Sequence, residues 1–182
     1  MASEYFSRLG SALADVSSDQ VSALAESIKK TGHRGGTIWI AGNGGSASTA
    51  NHMAVDLSFG VKPNGSLRAV SLSESSSSIT ATGNDIQFDE IFSRQIKSLA
   101  RPGDLVILIS ASGNSANLLM AAEAANTLGV KTAAIIGFDG GELASIVGQA
   151  LITSTEMGDY GVAEDLHLAV NHCLKEILTN GS

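Results

Sequence analysis

The chain has 182 residues, 43% of them hydrophobic, which suits one sizeable core and argues against a second catalytic domain at roughly 100–200 residues per domain. Aromatics make up 4%, with twenty glycines and two prolines, the composition of helices and strands joined by tight turns rather than of a disordered chain. Eighteen acidic against eleven basic residues leave a net charge of −7 with no basic run longer than two, so nucleic-acid binding lacks its electrostatic footing.

From Glu4 to about Lys30 the apolar residues Tyr5, Phe6, Leu9, Leu13, Val16, Val21, Leu24 and Ile28 recur mostly at steps of three and four. That spacing predicts an N-terminal amphipathic helical region over about 3–31, breaking near Ser17 to Asp19. Thr37 to Ala41 (TIWIA) predicts a buried strand running into GNGGS, with a helix from about Ser48 to Leu57 beyond it. Gly60 to Ser66 carries turn residues, and Leu67 to Leu72 predicts a second strand. In the Ser75 to Ser78 run, one serine at least suits a helix N-cap. Phe88 to Leu99 has helical spacing, and ARPGD then turns into Leu105 to Ile109, the most hydrophobic strand, which ends in SASGNS. A helix through Leu118, Leu119, Ala122 and Ala125 closes at Gly129, and Val130 to Gly137 forms a further strand. A strand near Ala150 to Thr155 and a helix from about Val162 to Leu178 complete the pattern. Strands alternating with helices, the central ones apolar throughout, predict an α/β three-layer sandwich whose parallel sheet is covered on both faces. No linker or repeat interrupts residues 1–182, so a single domain is expected.

The single cysteine, Cys173, allows neither an internal disulfide nor a cysteine zinc finger. No apolar stretch nears the roughly 18 residues of a membrane span, and MASEYFSRLG lacks the basic-then-apolar order of an export signal. A cytoplasmic protein without membrane or nucleic-acid partners is expected.

Two Gly/Ser loops follow strands directly and precede helices: Gly42-Asn43-Gly44-Gly45-Ser46 and Ser110-Ala111-Ser112-Gly113-Asn114-Ser115. In open parallel sheets ligands sit beyond the carboxyl ends of strands, where N–H groups of the next helix point outward. Glycines such as Gly44 let the backbone approach an anion, and the hydroxyls of Ser46, Ser110, Ser112 and Ser115 can donate to its oxygens. Neither loop is a Walker A or a GxGxxG motif, so no nucleotide cofactor is expected. His52 and Asp56 stand at i and i+4 on the helix after the first loop and share a face, able to converge on a small ligand or metal. On the last helix Glu164 and His172 are eight apart, about 80° around the axis, close enough to flank one site. Asp165 and His172 lie closer still.

GNGGSASTANH, SASGNSAN and, between them, TATGNDIQFDEIFSRQI resemble the sugar isomerase (SIS) domain and within it the phosphoheptose isomerase family, over nearly the whole chain and in the family's order. The resemblance implies a five-stranded parallel sheet of flavodoxin-like type and a homotetramer with active sites at subunit interfaces. It also implies conversion of sedoheptulose 7-phosphate to a heptose 7-phosphate for surface polysaccharide. Phosphate contacts would fall on Ser46, Ser110, Ser112 and Ser115, with Asn43 lining the same cup and Asn84 and Asp85 reaching the sugar. Asp56 matches the family's catalytic glutamate, His172 its histidine acid/base and Glu164 its usual glutamine; Ala111 replaces a threonine, at the loss of one hydroxyl. His52, Asp56, Glu164 and His172 make an N/O set for one zinc ion per subunit, as some family members have; the alternative is a metal-free site in which the two acidic groups raise each other's pKa and serve as an acid and a base.

Ketose–aldose isomerisation removes a proton next to a carbonyl and returns it to the neighbouring carbon, so a carboxylate or imidazole within about 3 Å is the minimal equipment. Asp56 is expected to carry that proton through an enediol while His172 exchanges protons with the substrate oxygens. The competing expectation is a phosphosugar-binding SIS module without catalysis, or a tetrameric adaptor of the bacterial replication initiator such as one near relative of this family.

Overall fold

A computed structural model describes residues 2–61 and 67–180, so most of the turn expected over Gly60 to Ser66 lies outside the described residues. The N-terminal region is two helices, α1 (Ala2–Ala14) and α2 (Ser18–His33), and the break falls where the Ser17 side chain accepts a hydrogen bond from Gln20 N as an N-cap. Five strands follow: β1 (Thr37–Gly42), β2 (Arg68–Ser71), β3 (Leu105–Ser110), β4 (Lys131–Ile136) and β5 (Gln149–Ile152). All pair in parallel in the order β2-β1-β3-β4-β5. The chain reverses direction across the sheet between β1 and β3, which is where such sheets leave a crevice for ligands.

Alternation along the strands divides the core between the two faces. Ile38, Ile40, Leu105, Ile107, Ile109 and Ile135 pack beneath α2, α3 (Gly45–Val55) and α8 (Tyr160–Asn180). Val106, Leu108, Ala134 and Ile136 face α5 (Ser93–Leu99) and α6 (Ala116–Thr127). At their N-terminal ends β1 and β3 are tied by the buried Asp104. One of its oxygens accepts from Thr37 N at 2.7 Å, and the other accepts from Trp39 Nε1 at 3.0 Å and Arg101 N at 2.9 Å. Burial opposes its ionisation, but these three donors outweigh it and hold the carboxyl below the usual carboxylate range. Trp39 is thus a strand residue with a polar anchor.

The structure departs from the sequence pattern at several element ends. α3 starts at Gly45, three residues before the expected Ser48, because Gly44 adopts φ +54°, a turn that favours glycine. Its far end passes into a π-helical turn over Asp56–Gly60. The Phe88 to Leu99 segment is a 3-10 turn at Phe88–Glu90 followed by α5. α4 (Ser76–Asp85) and α7 (Leu143–Ile146) have no counterpart in the sequence reading, although Ser75 does cap α4 by accepting from Ser78 N.

α8 buries Val162, Leu166, His167, Val170, Asn171 and Leu174 against its neighbours. His167 is fully buried, and neither ring nitrogen meets a protein hydrogen-bond partner. Burial pushes its pKa down to about 4. An unfolded histidine protonates near 6.5, so the folded state resists protonation and this contribution to stability, complete above pH 6.5, is lost as pH falls towards 4. Urea unfolding at pH 7.5 and pH 5 should show about 2 kcal/mol of stability lost through this group. His167→Leu is expected to reduce the pH dependence by that amount.

Candidate active site

Because β1 and β3 are parallel neighbours with Gly42 beside Ile109, the two Gly/Ser loops leave the sheet side by side. They enclose a cavity of about 270 Å³ lined by Asn43, Gly44, Ser46, Ser110, Ala111, Ser112 and Ser115, with Tyr160 and Glu164 of α8 closing one side. α3 and α6 both begin here, so their first-turn N–H groups add to the loops' capacity for an anion. Ser110 Oγ accepts from Gly113 N at 3.0 Å and Ser112 Oγ from Asn114 N at 3.2 Å. A hydroxyl that accepts still has its own hydrogen to donate. Ser115, at the N-cap of α6, makes no side-chain cap bond, which leaves its hydroxyl to the cavity. Asn43 and Asn117 exchange amide hydrogen bonds in both directions, 2.8 and 3.0 Å, and so lock the first loop to the helix after the second. Asn117, nearly fully buried, escaped the sequence reading; its signal was its place directly beyond the second loop.

A second group of side chains lies at the far end of α3. Asp56 is buried, His52 and His172 are exposed, and ligand atoms of the three lie within 4.8 Å of one another. His52 Nε2 stands 3.4 Å from Asp56 Oδ2 and 3.4 Å from His172 Nε2. With zinc bonds of about 2.0–2.1 Å, a tetrahedral site has ligand-to-ligand edges of about 3.3–3.4 Å. The two edges from His52 Nε2 match that length, and the three groups are a donor set that could hold a metal ion. Asn171 Nδ2 donates to Oδ2 at 2.9 Å, and Lys175 Nζ to Oδ1 at 2.7 Å. Burial works against ionisation of Asp56; the hydrogen bonds from Lys175 and Asn171, with the electrostatic pull of His52 and Lys175, overcome it and hold the carboxyl below its ordinary range.

Cup and cluster are the two ends of one helix pair. α3 and α8 run side by side in the same direction, Gly45 against the Glu164 carboxylate at one end and Asp56 against Lys175 at the other. The helical rise of about 1.5 Å per residue separates Glu164 from His172 by about 12 Å along α8. Glu164 accordingly lines the cup and does not join His52, Asp56 and His172. Its angle around the helix allowed one shared site, but its height along the axis does not. Asp165 instead accepts a hydrogen bond from the Tyr5 hydroxyl of α1 at 2.6 Å. Asn84 and Asp85 are exposed at the end of α4, bonded to each other at 2.8 Å and outside the cup of their own chain.

Residues 3–137 match the model of the SIS domain. The chain is 37% identical to the phosphoheptose isomerase of Chlorobaculum parvum over 96% of its own length and 84% of the relative's. It is 41% identical to that of Trichlorobacter lovleyi over 88% and 82% of the two chains. Its fold matches the solved phosphoheptose isomerase of Neisseria gonorrhoeae with a TM-score of 0.87 at 30% identity, covering 97% of this chain and 93% of the other. For the enzyme of Francisella tularensis the values are 0.89 and 27%, over 98% and 96% of the chains.

Asn117→Ala leaves the Asn43 amide half-paired inside the protein. It is expected to cost about 1–3 kcal/mol in stability and to weaken the cup's hold on inorganic phosphate, measurable by thermal denaturation with and without phosphate.

Proposed function

Because the chain belongs to the phosphoheptose isomerase family of SIS-domain proteins, we infer that it isomerises sedoheptulose 7-phosphate to D-glycero-D-manno-heptose 7-phosphate through an enediol. The observation that carries this reading is the placing of an anion cup and a carboxylate–imidazole cluster at opposite ends of the same helix. Ser46 and His52 are six residues apart, about 9 Å along α3, a span that favours a long phosphosugar lying along the helix over a short one. The hydroxyls of Ser46, Ser110, Ser112 and Ser115 and the helix N-termini hold the phosphate, Asn43 and Gly44 shape the cup, and Glu164 accepts from sugar hydroxyls.

At the far end Asp56, kept ionised by its donors, takes the carbon-bound proton on Oδ2 and returns it to the neighbouring carbon. His172, exposed beside it, exchanges protons with the substrate oxygens and assists ring opening. One zinc ion per subunit, where bound, would be held by His52, Asp56 and His172 and would supply Lewis-acid polarisation of the substrate carbonyl. Asp56 is one methylene shorter than the family's glutamate, and its anchoring by Asn171 and Lys175 gives the shorter carboxylate a fixed direction.

We take residues 1–182 as one SIS domain that works as a cytoplasmic homotetramer. In a single chain α1 buries none of its residues, and Phe6 and Leu13 lie exposed on it, an apolar stripe that a second subunit would cover. In such an assembly Asn84 and Asp85 reach the sugar across a subunit interface. No helix among the described residues is long and apolar enough to cross a membrane.

The test is proton NMR of sedoheptulose 7-phosphate turnover in deuterated buffer. Solvent deuterium should enter the product, and Asp56→Asn and His172→Ala should each lower kcat by about 10²–10⁴-fold. Binding without turnover or exchange would return the protein to the phosphosugar-binding modules. A separate expectation concerns the cup, where Glu164 places a negative charge against the start of α3. Glu164→Gln removes that charge and should tighten inorganic phosphate binding by about three- to tenfold, as a carboxylate and a phosphate mono- or dianion roughly 6 Å apart repel by about 0.7–1.4 kcal/mol at water's dielectric; isothermal titration reads it directly.

A further inference from the structure

Lys175 is absent from every expectation drawn from the sequence, yet it makes the shortest contact in the catalytic cluster. Its ammonium lies 2.7 Å from Asp56 Oδ1, while Asn171 and His52 address Oδ2. The lysine stem crosses the π-helical turn at Gly60, where a Cβ would stand 2.6 Å from Lys175 Cε and the end of the stem would have to shift. One turn further along, Thr179 Oγ1 donates to the carbonyl of Lys175 at 2.7 Å and to that of Gly60 at 3.5 Å, which fastens α8 to the same turn.

We propose that Lys175 is a positioning residue and resident counter-cation of the site: it takes Oδ1 of Asp56 and leaves Oδ2 as the one oxygen presented to a proton or a metal ion. The proposal rests on the isomerase reading for its effect on turnover, but not for its effect on metal binding. With Oδ1 occupied, Asp56 serves a divalent cation through a single oxygen, and that cation meets a positive charge about 5 Å away, worth about tenfold in affinity even at water's dielectric. In turnover, the same contact prevents the short carboxylate from rotating away from the reacting carbons.

The experiment compares wild type with Lys175→Met, Lys175→Arg and Gly60→Ala, all checked for native thermal unfolding. Zinc affinity is read by competition with a chromophoric chelator, and kcat and KM are read with sedoheptulose 7-phosphate. Lys175→Met should bind zinc at least tenfold more tightly and lose at least tenfold in kcat with KM within about threefold. Lys175→Arg should stay near wild type in both. Gly60→Ala, which keeps the lysine but crowds its Cε, should shift both quantities in the same direction as Lys175→Met and by less. Wild-type zinc affinity and kcat in Lys175→Met would overturn the proposal and leave the isomerase reading intact. Tighter zinc binding in Lys175→Met, with no turnover in any form of the protein, would remove the isomerase reading and keep the counter-cation. A wild type and a Lys175→Met variant that both fail to bind zinc and fail to turn over would overturn both.

Discussion

The pairing of β1 with β3 is the constraint on which the rest of the molecule depends. Strands that are neighbours and parallel must release their following loops at the same edge of the sheet. Here that geometry sets Gly42–Ser46 beside Ser110–Ser115 and makes one cup out of two loops distant in sequence. The strands are registered at the opposite edge by Asp104 and locked at the cup by the reciprocal Asn43–Asn117 amides. Both are part-buried polar contacts, each with one nearly buried member, Asp104 and Asn117, for which an unpaired group is costly.

From the cup, α3 and α8 carry the site outward in step. The same helix that offers its N-terminus to an anion ends at the carboxylate of Asp56, and α8 follows it with Glu164, Asn171, His172 and Lys175 at successive heights. The cup presents hydroxyl and amide donors, while the cluster surrounds one buried carboxylate with an ammonium, an amide and imidazoles. The chain's net charge of −7 thus conceals a helix pair with hydroxyl and amide donors at one end and a carboxylate held by donors at the other.

Much of this was legible in the sequence because it is local. The apolar runs of β1, β3 and β4, the break before α2, the two Gly/Ser loops and the His52–Asp56 pairing follow from period, turn chemistry and i,i+4 spacing. α4 was not legible, since its serines and threonines compete with the helical backbone and it buries no residue that would mark an apolar stripe. Glu164 shows the limit of the helical wheel: it gives rotation about the axis and omits the rise along it, which sets Glu164 against Gly45 at the start of α3 and His172 beside its end. Asn117 and Lys175 were missed because their partners Asn43 and Asp56 are brought to them only by the sheet and the helix pair.

The central claim is that one ligand spans the cup and the cluster. A crystal structure of the protein soaked with sedoheptulose 7-phosphate tests it most directly. The account predicts density for the phosphate on the hydroxyls of Ser46, Ser110, Ser112 and Ser115, with the carbonyl end of the sugar within hydrogen-bond distance of Asp56 Oδ2 or His172, in the same subunit or across an interface. A phosphate bound outside the cup, or reacting carbons beyond reach of every Asp56 and His172 in the assembly, would contradict it.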